Sequence, residues 1–367
     1  MHPWLTDPDG WFPLPSYFTL LMVGFMLAIR ITWKRSERYG VDPDDLLDMS
    51  LYMLLAGLVG ARILHVFADG YFMDYVHLCT DPYQVEVPSF IHVPCADDAA
   101  CVAANAGALC HPIAHTCRPA QDCFAALKFW QGGLAFYGGF ILAVSIGLAF
   151  IRRRRIPFNR MADLCAPGIS FGLIFGRMGC LLAGCCFGHV TGLPIGLHFP
   201  GDARMPGPGG RCPPEFDLIT SAAGDKICAI GSPAFTQHLK DGLIHAPAHT
   251  SLAVHPTQLY EAGFCLVLTL YLYFWRAKRV RFGSQIWWEM CGGYALGRFI
   301  VEYFRSDDRG LWLGGLLSTS QAIALPIIIA AAVRLAIGLR RPPEADPYGL
   351  AVVPAPVAVP APEETEG

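Results

Sequence analysis

Seven apolar runs punctuate this chain, at residues 17–32, 46–67, 132–151, 162–182, 256–275, 284–304 and 316–337. No other feature limits its fold as severely. A helix needs roughly 20 apolar residues to cross about 30 Å of hydrocarbon, and lipid leaves a spanning segment to bond its own N–H and C=O groups. A soluble chain would carry about 25% charged residues, whereas this one carries 16%, with 53% apolar and a mean hydropathy of +0.39. One aqueous core cannot hide that excess over 367 residues. The expectation is an all-α integral membrane protein. Residues 1–340 would form a domain of seven transmembrane helices with extracytoplasmic loop insertions, a Cys-rich one at 78–124 and a head region at 183–254.

Charge orients the spans. RITWKRSER, RRRRIPFNR, RAKRVRF and RLAIGLRR follow the first, third, fifth and seventh runs, and basic loops stay cytoplasmic. The N-terminus is therefore expected outside and the C-terminus in the cytoplasm. The leading MHPWLTDPDGWFPLPS has no basic n-region and no small-residue cleavage site, so the first run is expected to be retained. Cysteines supply a second argument. Of fourteen, Cys79, Cys95, Cys101, Cys110, Cys117 and Cys123 share the loop after run two, and Cys212 with Cys228 lies after run four. Both loops fall outside in this topology, where disulfides persist. Six cysteines allow fifteen connectivities, and spacing does not choose. A zinc cluster is the competing reading, though no C-x2-C pair is present. The Pro/Ala-rich residues 341–367 are expected to be a disordered cytoplasmic tail. A net charge of −3 without a basic stripe argues against a nucleic-acid partner.

Ionisable groups in a bilayer are costly and mark function by default. Arg177 and Arg298 come late in outward-running spans, and Tyr137, Tyr17, Tyr260 and Glu261 come early in inward-running ones. All would lie toward the outer leaflet. Snorkelling arginines and interfacial tyrosines are the plain alternative, and Arg298 with Glu302 has the i, i+4 spacing of a neutralising pair. Gathered at one depth, these groups suit a pocket for an anion, and a lipid phosphate matches the planar fork of arginine.

FGRMGCLLAGCCFG, HPTQLYE at 255–261, GRFIVEYFRSDD at 297–308, GGLAFYGG at 132–139 and the opening SYFTLLMVGF resemble the prolipoprotein diacylglyceryl transferase family over all seven spans. The resemblance implies transfer of the diacylglyceryl group of phosphatidylglycerol to the lipobox cysteine thiol of prolipoproteins. The setting would be the bilayer of a bacterial inner membrane, with glycerol phosphate released and a thioether formed. By position it makes Arg177 and Arg298 the phosphate-binding arginines, with Gly188 closing the signature and Arg62 and Glu261 on the lipid-binding side. Glu302, Tyr17 and Tyr137 complete the catalytic group. Because the thiol attacks carbon, no metal and no cofactor is required.

Three positions depart from the family pattern. Tyr137 stands where the family has a histidine, Cys180 where it has asparagine and Cys185 where it has glutamate. A tyrosine of ordinary pKa about 10 is a poor base at pH 7, so Glu302 or the leaving phosphate is the other route for the thiol proton. Cys180 paired with Cys185 or Cys186 is the expected disulfide. A metal site of these thiolates with His189 and a nucleophilic thiol are the alternatives. The competing function is a catalytically altered paralogue, acting as a lipid-binding or redox membrane protein.

Overall fold

The computed structural model describes residues 16–68, 70–85, 95–103, 107–128, 135–207, 212, 217–306, 311–312 and 317–350. Each apolar run lies in a helix there. The long helices are α1 (Ser16–Trp33), α2 (Pro43–Ala68), α5 (Phe136–Arg153), α6 (Phe158–Ala183), α8 (Thr257–Leu270), α9 (Gln285–Glu302) and α10 (Thr319–Arg340). Short α3 (Phe72–Thr80), α4 (Asp98–Ala103) and α7 (Pro233–Lys240) lie in the connections. Five helices, α1, α2, α5, α6 and α10, are long and apolar enough to cross a membrane. Their outward faces are apolar, with Met26, Leu55, Phe67, Phe140 and Val333 all exposed. In water that arrangement would be costly, and against lipid it is not. The early residues 132–134 of the third run, Leu316 and the tail from 351 on lie outside the described residues.

The helices form two groups. α6 packs along α1, α8 and α9, and α10 closes on α9, whereas α5 packs on α2. Glycine decides the second pairing. A Cβ on Gly60 would strike the Gly138 backbone, and one on Gly138 would strike the Gly60 backbone, so the two chains approach as closely as small residues permit. α1 touches α2 and joins the groups.

The connections are not all helical, which corrects the all-α expectation. β3 (Pro200–Arg204), β4 (Asp217–Thr220), β5 (Lys226–Gly231) and β6 (Ala248–Thr250) make an antiparallel sheet in the order β4-β5-β3-β6. Ala203, Ile227, Ala229, Phe235 and Leu239 pack α7 on that sheet as a separate small core. Two ribbons, β1 (Leu109–Cys110) with β2 (Cys117–Arg118) and β7 (Leu311–Trp312) with β8 (Leu317–Ser318), complete the strands. All eight loop cysteines are bridged, as Cys79–Cys123, Cys95–Cys110, Cys101–Cys117 and Cys212–Cys228. Cys79–Cys123 spans 44 residues at the base of the insertion. Beside it Asp122 N donates to Leu78 O at 2.8 Å, and Arg62 of α2 donates to Ala125 O (2.6 Å) and Ala126 O (2.8 Å).

The first part of the expected disordered tail is docked. Arg160 Nε donates to Tyr348 O at 2.6 Å, and Tyr348 OH donates to Asp163 Oδ2 at 3.0 Å. Asp163 is fully buried in α6, and its Oδ1 accepts the Trp287 N–H at the start of α9. A buried carboxylate needs such donors, and the tail supplies one of them.

Candidate active site

α6, α8 and α9 bring their charged residues together. Arg177 Nη2 lies 2.8 Å from Glu261 Oε1, which also accepts the Tyr294 hydroxyl at 2.9 Å. Arg298 Nη2 lies 2.7 Å from Glu302 Oε2 and donates to Ser320 Oγ at 3.1 Å. Burial is deep, with Glu261 1% and Arg298 8% exposed. Ion pairs this buried depend on close geometry and on further hydrogen bonds. Several polar atoms are nonetheless left over: Arg298 Nη1, Glu261 Oε2 and Gln258 Oε1 are buried without a hydrogen-bond partner among the described residues. Such atoms call for an explanation, and a site for a polar ligand is one.

Each arginine of the expected pair thus has its own carboxylate. A third guanidinium, Arg305, is 6% exposed and acts electrostatically on Arg298 and on Cys186. Gly188 brings it there. Gly188 bridges to Arg305, its N–H donates to His255 O at 3.0 Å, and a Cβ would collide with Phe304 O and with His255. Gly188 therefore holds the loop against the end of α9. Glu302 is held from α10: Ser318 Oγ donates to Glu302 Oε1 at 2.7 Å while the Ser318–Gln321 capping box starts that helix.

The two departing cysteines, Cys180 and Cys185, sit beside this cluster with Cys186. α6 ends at Gly184 in the left-handed conformation, and Cys186 follows with φ +62°, unusual for a residue with a side chain. Thr257 Oγ1 donates to Cys186 O at 2.6 Å and Gln258 Nε2 to Cys185 O at 2.7 Å. The Sγ atoms of Cys180, Cys185 and Cys186 all lie within 4.8 Å of one another. All three are thiols, so the expected bridge is not formed. Hydrogen bonds from Cys180 and Cys185, and the Arg305 guanidinium, push the Cys186 thiol down from its ordinary pKa. His189 is not in the three-sulfur group; its N–H donates to Phe304 O. Tyr17 of α1 adjoins the three cysteines and Arg177.

Two expected site residues belong to the α2–α5 pair. Tyr137 is on α5, 55% exposed, with Phe136 as ring neighbour, because the Gly60–Gly138 contact commits α5 to α2. Arg62 is tied to the insertion as described. Conversely, Tyr294, Gln258, Ser318, Ser320 and Arg305 were not singled out from the sequence. Tyr294, Arg298 and Glu302 recur at i, i+4, i+8, a one-face signal that was there to be read.

The family model described as "Prolipoprotein diacylglyceryl transferase" matches residues 5–337. Three similar proteins are named phosphatidylglycerol–prolipoprotein diacylglyceryl transferase. That of Corynebacterium efficiens is 26% identical over 349 residues, covering 93% of this chain and 85% of its own. That of Clostridium tetani is 24% identical over 315 residues, with 86% and 89% covered. That of Erwinia tasmaniensis is 31% identical over 221 residues, with 59% and 66% covered.

Proposed function

The chain belongs to the prolipoprotein diacylglyceryl transferase family, and on that premise we propose that it moves the diacylglyceryl group of phosphatidylglycerol onto a prolipoprotein cysteine. The protein is a membrane transferase of lipoprotein biosynthesis. In this reading seven helices cross a bacterial inner membrane, α8 and α9 included. The N-terminus, the Cys-rich insertion and the sheet lie outside, and the basic loops and C-terminus lie in the cytoplasm.

The observation that carries the mechanism is three guanidiniums, buried Arg298 and Arg305 and partly buried Arg177, gathered with Glu261 and Glu302. The phosphodiester of the lipid carries one negative charge and gains another as its glycerol C–O bond breaks. A preorganised positive site stabilises the second charge more than the first, and that difference lowers the barrier. Arg298 Nη1, which has no hydrogen-bond partner among the described residues, donates to a phosphate oxygen in this proposal. Glu261 and Glu302 aim the two arginines, and Tyr17 borders the thiol side of the pocket. Gly188 holds Arg305 in place rather than contacting lipid. Tyr137 and Arg62 belong to the α2–α5 pair, where Arg62 ties the insertion to α2.

The test is transfer by purified protein from phosphatidylglycerol vesicles to a synthetic lipobox peptide. The peptide should gain the mass of a diacylglyceryl group in step with release of glycerol phosphate. A well-folded protein yielding neither product would overturn the proposal.

A further inference from the structure

The three thiols at the end of α6 are not used by the phosphate chemistry, and their arrangement suits a different ligand. Three Sγ atoms converge within 4.8 Å of one another. A tetrahedral zinc with Zn–S near 2.3 Å puts its sulfurs about 3.8 Å apart, so the group needs less than about 1 Å of contraction. The backbone is already set for this. The left-handed turn at Cys186 folds its sulfur back toward Cys180, and Thr257 and Gln258 pin the Cys186 and Cys185 carbonyls to the start of α8. Two guanidiniums stand by. Arg177 acts on Cys180 and Arg305 on Cys186, an influence that favours the single negative charge of a divalent ion with three thiolates.

We propose that Cys180, Cys185 and Cys186 form a three-thiolate site for a thiophilic divalent cation of the Zn²⁺ type, whose fourth corner receives the thiol of the incoming prolipoprotein. The second half rests on the transferase reading, and the first half does not. Three protein ligands and one exchangeable position is the pattern of catalytic rather than structural zinc. A thiol that binds such an ion is deprotonated outright, and the thiolate is the nucleophile. The step balances. The substrate S–H gives its proton to water as sulfur binds the ion. That sulfur then forms the C–S bond to the glycerol carbon, and the C–O bond breaks with its electron pair on the phosphate oxygen. The neutral thioether, a weaker ligand, leaves. Activation by the ion removes the need for a base at Tyr137, which the fold keeps on α5.

Metal binding is tested first, on full-length protein in detergent, kept free of oxygen and without reductant so that its four disulfides stay closed, and titrated with Cd²⁺ as spectroscopic probe. One equivalent should bind with a thiolate-to-cadmium charge-transfer band of three-sulfur intensity, and Zn²⁺ should displace it. Cys180→Ser and, separately, Cys186→Ser should weaken binding by more than about 100-fold, since even outer-shell partners are worth about 10–100-fold. Cys165→Ser should bind like the parent. Size-exclusion profiles establish that each variant is folded. No saturable binding, or binding unchanged in both folded variants, overturns the site. A Cys180–Cys185 or Cys180–Cys186 disulfide in protein alkylated during extraction without reductant overturns it as well. The catalytic half is then tested by stripping the ion and measuring transfer. Loss restored by Zn²⁺ supports it, and unchanged transfer by metal-free protein overturns it while leaving the site intact. A metal-binding protein inactive with every phosphatidylglycerol donor overturns the transferase reading instead.

Discussion

Glu261→Gln isolates the central ion pair. The substitution keeps the shape of the side chain and removes its charge, leaving Arg177 buried near Arg298 without its carboxylate. The pair is 2.8 Å long, and the side chains are 18% and 2% exposed, so water screens little of the loss. Breaking a buried pair from one side costs about 3–5 kcal/mol, whereas exchanging both partners is often close to neutral. Glu261→Gln and Arg177→Gln should therefore each destabilise by about 3–5 kcal/mol, and the double substitution by clearly less than their sum. A coupling of about 2–3 kcal/mol is expected. The measurement is denaturant unfolding in mixed micelles at pH 7, followed by tryptophan fluorescence, for wild type, both singles and the double. Transfer to lipobox peptide is assayed on the same samples. The double should be destabilised by less than the sum of the singles and remain inactive, because Arg177 is still missing. Coupling under about 0.5 kcal/mol, the scale of independent sites, would refute the reasoning: the two groups would then act separately despite their contact.

Arg298→Gln should reduce transfer by about 10²–10³-fold, as loss of one charge-stabilising donor does, with expression and size-exclusion behaviour unchanged; Arg298→Lys should recover little, because it lacks the planar fork. Ser318→Ala removes the cap of α10 and the donor to Glu302, and unfolding should show a loss of about 1 kcal/mol from the cap alone. Burial lowers the His238 pKa, and its Nδ1 accepts the Leu252 N–H at 3.2 Å, so the neutral ring is the folded form. Its stabilisation is full above the unfolded pKa of about 6.5 and is lost as pH falls through the lower folded value; His238→Gln should flatten that dependence in a pH series of melting curves. An impermeant maleimide on intact cells should label Ala223→Cys and spare Glu37→Cys, and the reverse would invert the proposed topology.

Helices and oxidised loops could be read from the chain because both signals are local: a run of apolar residues, a basic flank, cysteines confined to two loops. The sheet could not, because β3 pairs with β5 and β6 across long intervals, and its strands run only three to six residues. Depth along a helix is also legible from position, and it correctly joined Arg177, Arg298 and Glu261. Depth says nothing of which helix stands beside which. Tyr137 shares the level expected for those residues yet is carried on α5, which the Gly60–Gly138 contact packs on α2. Arg305 escaped notice for another reason. It lies past the end of α9 in a turn, where periodicity gives no information, and the pairing with Gly188 sets its position. The cysteine spacing permitted a bridge or a metal site alike, and the positive φ of Cys186 is a tertiary outcome that spacing does not encode.

The clasp at the base of the Cys-rich insertion bears on how such a protein can diversify. Cys79–Cys123, with the Asp122–Leu78 hydrogen bond and the Arg62 contacts next to it, returns the chain to where it departed. A segment whose ends meet exerts no pull on the helices that carry it. Whatever hangs beyond the clasp is thus free to lengthen, shrink or be exchanged between lineages at little conformational cost, since loop-closure entropy grows only logarithmically with length. The membrane body and the appendage can then evolve on separate clocks, one constrained by the packing of its helices, the other by whatever it meets.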